Sequence, residues 1–105
     1  MDSVVFAGTV CALRWGRYSN GRLALQLREA DTGAPVATAS VHVPEAALAA
    51  DELVIKNYSE NAGILGALVE AGVVAPTGRS VRVGMVMAPV ARVLDGAGRA
   101  LAASR

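Results

Sequence analysis

Leu23, Leu25 and Leu27 alternate with Arg22, Ala24, Gln26 and Arg28, and turn chemistry bounds this run on both sides. A strict period of two fits a half-buried strand and no helix. Before it stands Asn20-Gly21, a pair whose tolerance of positive φ favours a tight hairpin. After it stands Glu29 to Pro35, with Asp31-Thr32-Gly33 as the tip of a second turn. Beyond that turn the chain alternates again from Val36 to Val43. Ala37, Ala39, Val41 and Val43 fall on one side, Thr38, Ser40 and His42 on the other. The stretch Val4 to Trp15 is apolar on both parities, so periodicity leaves its buried face open, and Gly8 inside it suggests a bulge or a close backbone approach. These three segments predict an antiparallel meander.

Pro44 ends the third segment, and Glu45 to Ala50 reads as a loop or one helical turn. Leu53 to Lys56 is a short buried strand. Side-chain variety then concentrates in Lys56-Asn57-Tyr58-Ser59-Glu60-Asn61-Ala62-Gly63. Ser59 is the expected N-cap, with Glu60 in the first turn. A capping box would need Glu or Gln where Ala62 stands. Ile64, Leu65, Leu68 and Val69 form an apolar stripe, and Gly72 suits the left-handed residue that ends many helices. The expected helix is about a dozen residues, roughly 18 Å long. Pro76-Thr77-Gly78-Arg79 reads as a turn. Val81, Val83, Met85 and Met87 then alternate with Arg82, Gly84, Val86 and Ala88 as the last long strand. Pro89 removes a ladder donor, so a bulge or a sheet edge is expected there, and Val90 to Leu94 continues past it. Asp95 to Gly98 is a turn, and residues 96–105 are expected to be a flexible tail. The whole predicts one α+β domain over residues 1–105. Its mainly antiparallel sheet has about five strands in the order β-β-β-β-α-β, flat or curled into a partial barrel, with one short helix packed on it.

At 105 residues, 53% hydrophobic and 18% charged, the chain has enough apolar surface to fold as one domain. The formal net charge of +1 shows no basic excess of the kind most nucleic-acid binders carry. Every basic residue except Lys56 is arginine, which fits either bidentate interface contacts or a compositional bias that also raises Ala and Gly. Cys11 is the sole cysteine, excluding an intrachain disulfide, and His42 is the sole histidine, so no His/Cys zinc spacing exists. No metal and no cofactor are expected. The N-terminal residues lack a positive region before their apolar stretch, and no run reaches transmembrane length. The expected setting is cytoplasmic, without membrane contact.

Candidate chemistry is sparse. No Gly-x-x-x-x-Gly-Lys loop occurs, and Gly96-Ala97-Gly98 lacks a following helix. Pro76 to Arg79 could offer backbone amides and Arg79 to an anion, or simply turn the chain. His42 lies beside Thr38 and Ser40 on a polar parity, without the orienting partner that a general base needs. Tyr58 with Asn57 and Glu60 could line a polar pocket, or serve only the helix entry. No catalytic residue is assigned. Trp15, Arg17, Tyr18 and Arg22 flank the first hairpin and combine the residue types commonest at interface hot spots. They could equally stack single-stranded bases. Lys56, Asn57, Tyr58, Arg79 and Arg82 complete the candidate partner-binding surface.

Tyr18-Ser19-Asn20-Gly21-Arg22-Leu23-Ala24-Leu25-Gln26-Leu27 resembles the opening of a family of small uncharacterised bacterial proteins from plasmids, integrative elements and phages, a domain of unknown function. Ile55-Lys56-Asn57-Tyr58-Ser59-Glu60-Asn61, Leu65, Leu68, Val69-Glu70-Ala71-Gly72 and Pro76-Thr77-Gly78-Arg79 carry the same resemblance, which spans Gly21 to about Val93. Where the family has glutamate-rich helix starts this chain has Ala62-Gly63, which puts a cap contact there in question. The resemblance implies a mobile-element setting, in which small proteins bind host proteins, including CRISPR or restriction complexes. The expected function is therefore a non-catalytic protein-binding module, of the type that inhibits a host defence system, with a host or phage protein as partner. The alternative is a small nucleic-acid binder using the arginine and aromatic surface. A small enzyme centred on His42, or on Tyr58 and Glu60, is the third reading. A homodimer is expected to be possible through an unpaired edge strand or the apolar parity of Val4 to Trp15.

Overall fold

The computed structural model describes residues 3–94, so the expected Asp95–Gly98 turn and the tail 96–105 lie outside the described residues. The fold is α+β, mainly antiparallel, with one short helix packed on the sheet. The elements are β1 (Ser3–Phe6), β2 (Thr9–Arg17), β3 (Leu23–Glu29), β4 (Pro35–Thr38), β5 (Glu52–Val54), α1 (Ile64–Glu70), β6 (Val74–Val83) and β7 (Val86–Val93). There are more strands than the five expected because two expected strands are each a hairpin. Val4 to Trp15 turns back at Ala7-Gly8, with φ of 52° and 80°. Two residues at positive φ are what a tight hairpin of this hand needs. Gly8 is thus a turn residue, not a bulge. The expected last strand likewise folds back at Gly84-Met85, where Gly84 has φ 58°.

One sheet runs β1-β2-β3-β4 and the other β5-β7-β6, every pairing antiparallel. The chain just past β4 joins them. Ala39 N–H donates to Leu25 C=O on β3 at 2.8 Å, while Val41 N–H donates to Val54 C=O at 3.0 Å and Lys56 N–H to Ala39 C=O at 2.8 Å. The outermost strands are therefore β1 and β6, and α1 packs beside both.

The leucine alternation does what its period demands. Leu23, Leu25 and Leu27 are buried, and they meet Val4, Phe6, Cys11, Leu53, Ile55, Ile64, Leu68, Ala91 and Val93 in the main core. Each buried leucine contributes about 1.5–3 kcal/mol relative to exposure. Burial pushes the Cys11 thiol up. Leu53-Val54-Ile55 is apolar on both parities because both faces of β5 are covered. Leu53 and Ile55 enter the main core, whereas Val54 joins Val43, Ala46, Ala88 and Val90 in a second cluster.

Three local expectations are corrected. Ser59 makes no N-cap hydrogen bond; it has φ 56° and opens a 3-10 turn, Ser59–Asn61. The helix then starts behind Gly63 (φ 93°) and has seven residues, not a dozen. The side chain that serves its entry is Asn57, whose Oδ1 accepts the Leu65 N–H at 3.0 Å. At the other end Gly72 (φ 74°) terminates α1, with Val73 N–H donating to Leu68 C=O and Gly72 N–H to Val69 C=O, both 3.0 Å. Val69, expected in the buried stripe, is 40% exposed. Finally, Pro76 to Arg79 is not a turn between elements but a bulge inside β6. Four residue steps there, Pro76 to Ser80, face only two in β7, Ala91 to Pro89. The bulge explains how Pro89 sits in the middle strand of its sheet: the ladder is already interrupted opposite it. Thr77 Oγ1 donates to Val90 C=O at 3.0 Å and so satisfies a carbonyl the bulge would strand.

Candidate functional site

The β2–β3 hairpin closes on Tyr18 to Gly21. Gly21 N–H donates to Tyr18 C=O at 2.9 Å, Tyr18 N–H to Arg22 C=O at 2.8 Å, and Asn20 Oδ1 accepts the Arg22 N–H at 3.1 Å. Gly21 takes φ 84°, which glycine adopts without a steric cost. Arg17 folds over this turn, its guanidinium donating to Gly21 C=O at 3.0 Å. Tyr18 is fixed more firmly. Its hydroxyl shares a 2.8 Å hydrogen bond with Ser40 Oγ, which in turn accepts the Leu25 N–H at 3.0 Å. Its ring stacks on His42 with centroids 4.3 Å apart and an interplanar angle of 7°. His42 and Ser40 therefore serve to hold Tyr18, and Ser40 is buried.

A cleft of about 360 Å³ opens beside this hairpin, lined by Arg14, Trp15, Gly16, Arg17, Tyr18, Gln26 and Thr38 together with Ala24 and Leu25. Pairing register makes it. Arg14 stands opposite Gln26, and Gln26 opposite Thr38, giving one cross-strand row of polar side chains. Two residues along β2, Gly16 stands opposite Ala24, so the sheet surface lacks bulk next to that row. Trp15 stands opposite the buried Leu25, so its half-buried ring packs against the main core while the residue borders the cleft. The lining holds two arginines and no carboxylate, so its charge is positive.

The other expected site residues, Arg82 apart, have structural engagements. Arg22 is half-buried and donates to Ala46 C=O at 2.7 Å. Arg79 reaches the same loop from β6, donating to Ala47 C=O at 3.2 Å and pairing with Glu52. Glu52 also accepts the Ala49 N–H at 2.9 Å. The Arg79 guanidinium first, and the Ala49 amide second, hold the Glu52 carboxyl below its ordinary range. Arg22 and Arg79 thus clamp the 46–52 loop from the two sheets. Lys56 pairs with Glu60 at 2.7 Å, which raises the lysine and lowers the glutamate, and its ammonium lies 5.9 Å from the Tyr58 ring centroid. Asn57 is spent on the helix entry, and Tyr58 packs against the second apolar cluster. Arg82 is exposed on β6 opposite Met87.

Of the expected surface, then, the structure gathers Trp15, Arg17 and Tyr18 in one cleft and places Arg22, Lys56, Asn57, Tyr58, Arg79 and Arg82 elsewhere. Arg14, Gln26 and Thr38 were missed, because only the strand register brings them into one row. Met85 and Met87, 95% and 59% exposed, were also missed; the Gly84 turn was the available signal. Among the described residues no three His, Cys, Asp or Glu side chains are grouped to hold a metal ion, and no helix is long and apolar enough to cross a membrane. No protein-family model matches the chain, and neither a curated protein nor a solved structure matches it.

Proposed function

We propose that this chain is a non-catalytic binding module that takes an acidic segment of a partner protein in the β2–β3 cleft. The supporting observation is the cleft lining: Arg14 and Arg17 with Trp15, Tyr18, Gln26 and Thr38, and no carboxylate among them. Arginine matches carboxylates bidentately, and aromatic residues beside it supply rigid contact area. Tyr18 is held by Ser40 and His42 before any partner arrives, which lowers the ordering cost of binding. The resemblance to small mobile-element proteins supports one biological setting for such a module, the inhibition of a host defence complex. A second reading, single-stranded nucleic acid in the same cleft, is favoured by the same arginines and rings.

Affinity capture from a nuclease-treated bacterial lysate tests the proposal. Wild type is compared with the double variant Arg14→Glu/Arg17→Glu, both positions being exposed. The expected result is a retained protein that the double variant loses. Equal retention by both, or none by either, contradicts it. Retention that vanishes only on nuclease treatment, with salt-dependent oligonucleotide binding, favours the second reading.

A further inference from the structure

The cleft is one end of a longer surface. Leu23, Leu25 and Leu27 of β3 face the core, so Ala24, Gln26 and Arg28 face outward, and pairing sets Gly16, Arg14 and Ala12 of β2 beside them. Two residues beyond Ala12 the same face carries Val10, opposite Val5 of β1. Val5 is 64% exposed and Val10 52%, and neither belongs to an apolar cluster of the fold. Val10 stands four residues from Arg14, about 13 Å along the strand. Charge changes sign across the valine pair. On the cleft side are Arg14 and Arg28, the latter donating to Gln26 Oε1 and Gly33 C=O, both at 3.2 Å. Beyond the pair, Val10 shares a recess of about 410 Å³ with Glu29 and Asp31. Beside it, Val5 shares one of about 240 Å³ with Glu70 of α1. The face thus runs from arginines, across an exposed apolar pair, to carboxylates.

We infer that the partner segment carries acidic, apolar and basic residues in that order along β2: the acidic residues in the cleft, the apolar one on Val5 and Val10, the basic ones against Glu29, Asp31 and Glu70. The inference rests on the proposed binding of an acidic segment by the cleft, and it adds the order of residues in that segment. Each part has its own physical ground. Arginine takes carboxylates bidentately. The valine pair is stabilised by leaving water only under an apolar side chain. The carboxylates around that pair attract a basic residue and repel an acidic one, so a reversed segment meets like charge at both ends. The same rim disfavours a nucleic-acid strand, whose phosphates carry negative charge along its whole length.

Selection from a random peptide library displayed on phage, with the full chain immobilised, reads this preference independently of any variant. Peptides selected on wild type are expected to share an apolar residue with acidic residues on one side of it and basic residues on the other. One selected peptide is then synthesised and titrated by calorimetry. Val10→Lys, with a wild-type thermal unfolding curve, is expected to raise its Kd about tenfold, the effect of losing one apolar contact. Met87→Lys, which charges a comparably exposed apolar position on the β6–β7 hairpin, is expected to leave the Kd unchanged. Selected peptides without acidic enrichment contradict both the order and the cleft reading. Acidic peptides that lack the apolar residue, or that carry acidic residues equally on both sides of it, overturn the order and leave the cleft reading standing. A Val10→Lys protein that binds the selected peptide as tightly as wild type does the same.

Discussion

The two outermost strands, β1 and β6, are exposed to the same hazard and answer it differently. β6 is the longer, at ten residues against four, yet its edge is broken up. Pro76 has no N–H to offer, the Pro76–Ser80 bulge interrupts the ladder with Gly78 at φ 85°, and Arg79 and Arg82 bring charge. Those are the devices that keep an edge from accepting a stray strand. β1 has none of them. It is only four residues long, and Ala67, Glu70 and Ala71 of α1 flank it across a narrow groove from Ser3 and Val5. The two edges are thus protected differently, β6 by an irregular backbone and charge, β1 by its shortness and the neighbouring helix. The arginine cleft of β2 and β3 differs from both, lying on the face that the register of β2, β3 and β4 builds, where side chains carry the charge.

Removing the device that guards β6 should have the largest effect. Thr77→Val leaves the Val90 carbonyl without its donor and the Arg79 amide without its acceptor. A loss of about 2 kcal/mol in chemical denaturation is expected. A value near zero would mean that the bulge does not depend on the Thr77 hydroxyl. The β1 hairpin should respond in the opposite direction. Ala7 adopts φ 52° in a turn whose next residue is Gly8. Ala7→Asn gives that turn its preferred pair and is expected to add about 1 kcal/mol. The melting temperature should rise by roughly 4–8 °C. A lower melting temperature would argue against the left-handed conformation at Ala7.

A smaller, pH-dependent effect should separate the charged side of β6 from the uncharged β1. The folded-state pKa of Glu52 is depressed by Arg79, so its stabilisation is fully present above the unfolded carboxyl value. It is lost as pH falls through the depressed folded value. Denaturation midpoints of wild type should fall from about pH 5 towards about pH 3 more steeply than those of Glu52→Gln. Parallel profiles would mean the Glu52–Arg79 pair is not formed in solution. The smallest effect is expected at the β6–β7 tip: Met85→Ser should change stability by no more than about 0.5 kcal/mol, because Met85 is 95% exposed. A larger loss would place Met85 in a contact within the protein or between copies.

How much of this could be read in the chain depends on whether the signal was local. Leu23, Leu25 and Leu27 declare β3 because one face of it is buried and the other is not, and Gly72 declares the helix end because the left-handed position favours glycine. The Ala7-Gly8 turn was hidden because apolar residues surround it and alanine is not a turn residue. Gly84 was hidden because Val81, Val83, Met85 and Met87 read as one alternation, whereas the hairpin sets Val83 opposite Val86 and switches the inward parity to Ala88 and Val90. Ser59 looked like a cap by its position, but the cap function belongs to Asn57, which reaches the helix only through a left-handed Gly63 and a 3-10 turn. At the candidate site, Trp15, Arg17 and Tyr18 stood out by residue type and one hairpin brings them together. Arg14, Gln26 and Thr38 join them through the pairing of three strands, which no single stretch encodes. Arg22 and Arg79 read as available arginines because their partners, the carbonyls of Ala46 and Ala47, lie far away in sequence.

Trp15 borders the β2–β3 cleft from the core side of β2 and is the sole tryptophan, so its emission reports on that hairpin without a label. Titration of the purified chain with the protein recovered by affinity capture should shift Trp15 emission saturably. Arg14→Glu/Arg17→Glu should abolish that shift while keeping the wild-type thermal unfolding curve. Binding of the same partner with Trp15 emission unchanged, or an unaltered titration of the double variant, would contradict the placement of the partner in the cleft.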